Sequence, residues 1–241
     1  MDELGRQPPD FLALLIDAEN IRAEFLPIIL REASANGTVT VRRVYGDFAS
    51  ASMRSWYQPI HAHALTPVHV PPRAQGKNAA DMKLAIDTMD LLHQGNLQGF
   101  CIASSDSDFT TLANRIREDG LTVFGFGEEK ATSPYIAACN RFFYCDVLLR
   151  AEQPPPVRIV TTKSPVLPVE EILAALDDAS GEDGWANLGE VGSILNKRRP
   201  DFDSRNYGFK KLSDLVSRIG VLEMQRKQIG GGSASLIRRK P

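Results

Sequence analysis

The stretch FCIASSDSDFTTL, Phe100 to Leu112, decides the fold. An unalternating apolar run breaks into Ser104 and Ser105, then two aspartates one residue apart, then a helix-like segment. An apolar run without alternation fits a strand covered on both faces, as in a parallel sheet. Strand, polar turn and helix make the repeating step from which such sheets are wound. The turn carries Asp106 and Asp108. Two carboxylates that close repel each other unless something compensates.

Working outward, the same step recurs. FLALLID (11–17) is an apolar run closed by Asp17, and residues 21–35 read as a helix. TVTVRRVYGD (38–47) is a second strand, rich in β-branched residues, and 51–64 a helix interrupted by Pro59. TPVHV (66–70) is a third strand, and Asn78 to His93 a well-patterned helix. GFCIAS (99–104) is the fourth strand, Phe109 to Glu118 a helix, LTVFGFG (121–127) the fifth strand and RFFYCDVLL (141–149) a sixth. This order predicts an α/β fold, a parallel sheet in a three-layer α/β/α sandwich.

Three consecutive prolines in AEQPPPVRIVTTKSP (151–165) favour a stiff connector. Beyond it the chain reads helix (167–179), helix (about 188–198) and helix (about 207–219), then VLEMQRKQI and SASLIRRK around GGGS. Three small helices followed by a β-hairpin predict a winged helix. The expected domains are 8–150 and 165–241, joined by a linker at 151–164.

The 241 residues are 43% hydrophobic, ordinary for a globular chain. The net charge of −2 conceals an asymmetry. Residues 1–156 hold 14 basic and 19 acidic residues, and from Asn187 onward there are 12 basic and 5 acidic. A basic end region suits an anionic partner, while a solvated lysine-rich face is the bland alternative. Cys101, Cys139 and Cys145 form no C-x-x-C pair and no zinc-spaced quartet, and read as reduced core residues. MDELGRQPPD lacks the order of a signal peptide, and no apolar run reaches membrane-spanning length. The expectation is a soluble, cytoplasmic protein without membrane contact.

Ligands of open parallel sheets bind at the carboxyl ends of the strands. Asp17 closes the first strand and Asp106 and Asp108 follow the fourth, so parallel strands place all three on one edge. The helix GKNAADMKLAIDTMDLLH (76–93) borders that edge. At about 100° per residue, Met82, Ala85, Met89 and Leu92 share a face with Asp81 at its margin. Asp87 and Asp90 fall opposite, beside Lys83. The pattern therefore predicts Asp81 towards the sheet and the other two towards water. Four carboxylates in one cleft need a compensating cation, and an all-oxygen set suits Mg²⁺ or Mn²⁺. Such an ion activates water for phosphodiester hydrolysis.

LLIDAENI at the first strand, KNAADM opening the middle helix and ASSDSDF after the fourth strand resemble the NYN domain of the PIN-like ribonucleases, with the LabA-like branch nearest. The resemblance spans roughly residues 10–150. It implies a nuclease-type fold, a metal site at Asp17, Asp81, Asp106 and Asp108, and Asn20 orienting that site. It also implies the dimerisation common among such nucleases. Family members often carry SGDSDF, and here Ser105 stands in place of the glycine. The segment from Gly184 to Met224, with its pattern P-x-F-x-x-x-x-Y-G-F-x-K-L-x-x-L, resembles the LOTUS domain, also called OST-HTH. That resemblance implies RNA binding, single-stranded or structured, or association with a helicase or another protein.

Each motif has a plainer reading. Asp106 to Thr110 also matches the D-x-D-x-T of haloacid-dehalogenase-like phosphatases, but a second acidic motif at a later strand end is missing. Asp108 fits an N-cap for the helix that follows. Ser105 fits a turn, His61, His63 and His69 fit structural roles, and Phe126 fits the core. Lys77 is a candidate phosphate contact near Asp81. Lys197, Arg198, Arg199, Lys210 and Lys211 are candidates in the winged helix, where such cations meet phosphate. The leading expectation is a metal-dependent ribonuclease targeted by an RNA-binding winged helix. A non-catalytic RNA- or protein-binding regulator with the same fold comes second, and the phosphatase third.

Overall fold

The computed structural model describes residues 10–71, 78–152, 166–181, 183–229 and 232–240. The chain divides into two units, Met1–Leu149 and Arg150–Pro241.

In the first unit, strands β1 (Phe11–Asp17), β2 (Thr38–Gly46), β3 (Thr66–His69), β4 (Gly99–Ala103), β5 (Thr122–Gly127) and β6 (Arg141–Tyr144) form one sheet. Its order is β3-β2-β1-β4-β5-β6 and every pairing is parallel. Helices α1 (Leu26–Asn36), α2 (Arg54–Ala62), α3 (Ala79–Gln94), α4 (Phe109–Glu118), α5 (Ser133–Ala138) and α6 (Cys145–Glu152) cover it. From β1 the chain builds outward on one side to β3, then returns to start β4 on the other. The gap between β1 and β4 is thus the topological switch point, where doubly wound sheets open a crevice.

Strand alternation divides the core in two. Leu12, Leu14 and Ile16 of β1 pack with Phe25, Ile29, Trp56 and Leu148. Ala13 and Leu15 pack on the other face with Leu84, Leu91, Phe109 and Tyr135. Each leucine or isoleucine so buried contributes about 1.5–3 kcal/mol. Asp17 continues the Ala13–Leu15 series, so alternation directs it to the α3 face. Phe126 is core as expected, stacked on Phe143 at 4.9 Å between centroids. All three cysteines are buried, and burial pushes their thiols well up.

Three sequence expectations need correction. The sixth strand ends at Tyr144, and Cys145 begins a helix that runs to Glu152. The expected linker therefore starts inside that helix, and residues 153–164 of it lie outside the described residues. Pro59 does not interrupt α2, which continues to Ala62. The third correction concerns α3. Its buried residues are Ala80, Leu84, Asp87, Thr88, Leu91 and Leu92, while Met82 and Ile86 are exposed. The buried face is thus rotated from the predicted stripe: it keeps Leu92, leaves Ala85 and Met89 at its margin and takes in Asp87. The cause is a cross-element network. Asp87 accepts from Tyr45 Oη at 3.0 Å, from Arg43 Nη1 at 3.1 Å and from Lys83 Nζ at 2.6 Å. A charge so compensated can be buried.

In the second unit, α7 (Val169–Ala179), α8 (Leu188–Arg198) and α9 (Leu212–Arg218) pack with β7 (Ala186–Asn187), β8 (Leu222–Ile229) and β9 (Gly232–Arg239). The antiparallel sheet has the order β7-β9-β8. Ile172, Leu176, Val191, Leu195, Phe202, Leu215 and Ile237 form its core. The third expected helix is shorter than its pattern, because a 3₁₀ turn at Ser204–Tyr207 precedes it. Among the described residues, no helix is long and apolar enough to cross a membrane.

Candidate active site

Asp17 is the fixed point of the crevice. It is 1% exposed and accepts four hydrogen bonds. The backbone N–H groups of Glu19 and Asn20 donate to Oδ1 at 3.0 and 3.3 Å. Asn20 Nδ2 and Ser104 Oγ both donate to Oδ2 at 2.8 Å. Burial still holds its carboxyl above the usual aspartate range. Asn20 thus grips Asp17 through both its backbone and its side chain.

Ser104 carries the link from β1 to the β4 turn, because its Oγ also accepts from the backbone N–H of Asp106 at 3.1 Å. Asp106 is half-buried, and its Oδ1 accepts from the backbone N–H of Asp108 at 2.9 Å. Asp108 sits at the N-cap of α4 but its side chain makes no capping bond. Its Oδ2 instead accepts from Asn78 Nδ2 at 3.2 Å, across to the start of α3. The capping alternative is thus overturned: Asp106 ties the turn, and exposed Asp108 is held from α3. Ser105 serves the turn, accepting from the backbone N–H of Glu128 at 3.1 Å. Gly127 leaves it room, since a Cβ there would meet Phe142 at 2.8 Å and Ser105 Oγ at 3.3 Å.

Asp81, half-buried in the first turn of α3, completes the group. Burial and then the like charges of Asp17, Asp106, Glu19 and Asp108 push its carboxyl up to about 7. Among the described residues, no ion pair involves Asp17, Asp81, Asp106 or Asp108. Glu19, exposed beside Asp17, was not singled out from the sequence, yet it joins the same field and is itself raised by burial, Asp17 and Asp47. The available signal was a second acid two residues after Asp17 in DAEN. A cleft of about 1100 Å³ lined by Glu19, Asn20, Asp47, Ser52 and Trp56 opens beside this cluster and does not include Asp81, Asp106 or Asp108.

The donor chemistry fits a hard cation: carboxylate oxygens at a sheet edge, without an ion-pair partner among the described residues. The spacing is not that of an assembled shell. Among the described residues, no three Asp, Glu, His or Cys side chains form a group that could hold a metal ion as they stand.

The winged-helix candidates divide. Lys197, Lys210 and Lys211 are exposed. Arg198 pairs with Asp178, and Arg199 is clamped by Glu171 at 3.0 Å and Asp201 at 3.1 Å. Exposed Arg226 and Lys227 on β8 were not among the candidates. Lys77 lies outside the described residues.

The NYN domain family matches residues 11–149, and the OST-HTH/LOTUS domain matches residues 167–234. No functionally curated protein matches the chain. Among solved structures, a protein of unknown function from Vibrio parahaemolyticus is 16% identical, with a TM-score of 0.49, over 58% of this chain and 96% of its own. An uncharacterised protein from Nitrosomonas europaea is 42% identical over 37% of this chain and 89% of its own, with a TM-score of 0.31. A Chromobacterium violaceum protein fragment is 33% identical over 33% of this chain and 87% of its own, with a TM-score of 0.27.

Proposed function

We infer, from the premise that this chain belongs to the NYN-domain family, that it is a metal-dependent ribonuclease whose C-terminal OST-HTH/LOTUS domain engages the RNA. One observation carries the reading. Asp17, Asp106 and Asp108 border the switch point of the sheet with Asp81 at the start of α3, and burial, then the like charges of the others, raises Asp81 to about 7. Catalytic sites are where such perturbed carboxylates concentrate.

Asp17, Asp81 and Asp106 would hold the ion, Mg²⁺ or Mn²⁺. When bound, the ion supplies charge neutralisation at the phosphodiester and a more acidic water. Asn20 and Ser104 fix the Asp17 carboxylate through its Oδ2. Asp108, exposed and tethered by Asn78, is the carboxylate free to take a proton from the attacking water. Lys197, Lys210 and Lys211 provide exposed charge for phosphate contacts, whereas Arg198 and Arg199 are engaged within their own domain.

Attack by water leaves a linear phosphate, whereas attack by the neighbouring 2′-hydroxyl leaves a 2′,3′-cyclic one. Mass analysis of the products of a labelled single-stranded RNA in Mn²⁺ should find only linear ends. Cyclic ends would overturn the role given to the carboxylates. A second reading, a non-catalytic RNA-binding regulator, draws on the lack of an assembled metal-binding group among the described residues. It predicts no products at all.

A further inference from the structure

A second groove, of about 770 Å³, lies in the C-terminal unit between α8, the start of α9 and β9. Its size is in the range of small-ligand pockets. Ser193 and Asn196 of α8, Ser213 of α9 and Ser233 and Ser235 of β9 line it, and no lining residue carries a charge. Leu188 and Leu212 add apolar surface.

Asn196 is the unusual member. Its Oδ1 is shielded from water and has no hydrogen-bond partner among the described residues. Buried polar atoms are nearly always paired, so such an orphan needs an explanation. Among the described residues, Thr132 and Tyr207 hold the other two orphans, and neither lines this groove. An amide offers a donor and an acceptor side by side, the complement of a nucleobase edge.

The rim is mostly cationic, with one acid, exposed Asp214, accepting from the lining Ser213. Exposed Lys210 and Lys211 immediately precede the α9 wall. On β8, exposed Arg226 stands opposite Ser235, on the face that also carries buried Ile237. A neutral hydrogen-bonding interior with a positive rim suits a ligand whose body is a base and whose edge is a phosphate. The base edge is free only in an unpaired strand.

We propose that this groove holds one unpaired nucleotide of an RNA strand, the Asn196 amide, its Oδ1 covered and unpaired in the free chain, turning out to meet the base edge, with Lys210 and Lys211 at the flanking phosphate. The inference rests on the RNA reading of the C-terminal domain and adds base discrimination to it.

The test titrates the full-length chain, in EDTA to prevent cleavage, with short fluorescent oligo-A, oligo-C, oligo-G and oligo-U RNAs. The wild type should prefer one of them. Asn196→Ala should lower affinity for that one about tenfold and leave the others and the salt slope unchanged. Ser193→Leu changes an exposed wall residue, so it spares the core, and it should remove the same preference by filling the groove. Lys211→Ala should weaken all four alike and reduce the salt slope by about one. If both groove variants bind all four RNAs as the wild type does, or the wild type shows no preference, the groove proposal falls while RNA binding stands. If the wild type binds no RNA even at low salt, the RNA reading itself falls, and a protein partner takes its place.

Discussion

Asp81 shows most directly how charge is arranged in the crevice. Its carboxyl, raised from 3.8 to about 7, binds a proton more tightly in the folded chain than in the unfolded one. Stability from this group is therefore full below about pH 4 and is lost as pH rises towards 7. The same sign holds for Asp17 and Glu19, both also raised. In EDTA, Asp81→Asn should melt above the wild type at neutral pH, with the difference closing near pH 4. Thermal denaturation across pH measures this, and a wild type that melts higher at neutral pH would contradict it. Added Mn²⁺ should reverse the ranking, because an ion that binds only the folded state stabilises it by mass action. Asp17, Asp106 and Asp108 were legible as a group because parallel strands put their carboxyl ends on one edge. Which aspartate ties the turn was not legible. Asp106 and Asp108 both have the spacing for it, and the choice fell to Asn78, thirty residues away in sequence, which occupies Asp108.

At the scale of elements, α3 is the part on which the candidate site depends, because it carries Asp81 and begins directly after Asn78. Its seat on the sheet includes Asp87, bound to Tyr45, Arg43 and Lys83. Asp87→Ala leaves two cations without a partner. Their side chains are 32% and 45% exposed, so water recovers part of the loss. A destabilisation of about 1–3 kcal/mol is expected in denaturant melts. A change below a few tenths would show that the network is not what seats the helix. The succession of strands and helices along the chain was readable from apolar runs alone. The face of α3 was not, because hydrophobic periodicity cannot see that Arg43 and Tyr45 arrive from β2 to compensate a buried acid. The end of β6 was missed differently: Cys145, Leu148 and Leu149 already stood at helical spacing behind Asp146, and the continuous apolar run masked it.

Over the whole molecule, the net charge is negative before residue 157 and positive from Asn187 onward. That separation suits a chain in which one unit grips a polyanion and the other requires a cation to meet it. RNA affinity should fall steeply with salt. Replacing Lys197, Lys210 and Lys211 together by alanine should weaken binding to every RNA and lower the salt slope by about two to three. Arg198→Ala should change it less, since that side chain pairs with Asp178. An unchanged slope in the triple variant would place the contacts elsewhere, with Arg226 and Lys227 next in line. The central claim, that the carboxylates at the switch point cleave RNA with a divalent ion, is tested most directly by one rate. It is the initial rate of cleavage of a labelled single-stranded RNA in Mn²⁺, compared between wild type and Asp106→Asn of equal melting temperature. Cleavage by the wild type that EDTA abolishes, and that falls at least about a hundredfold in Asp106→Asn, is the predicted result. Equal rates in the two proteins, or no cleavage by either, would contradict it.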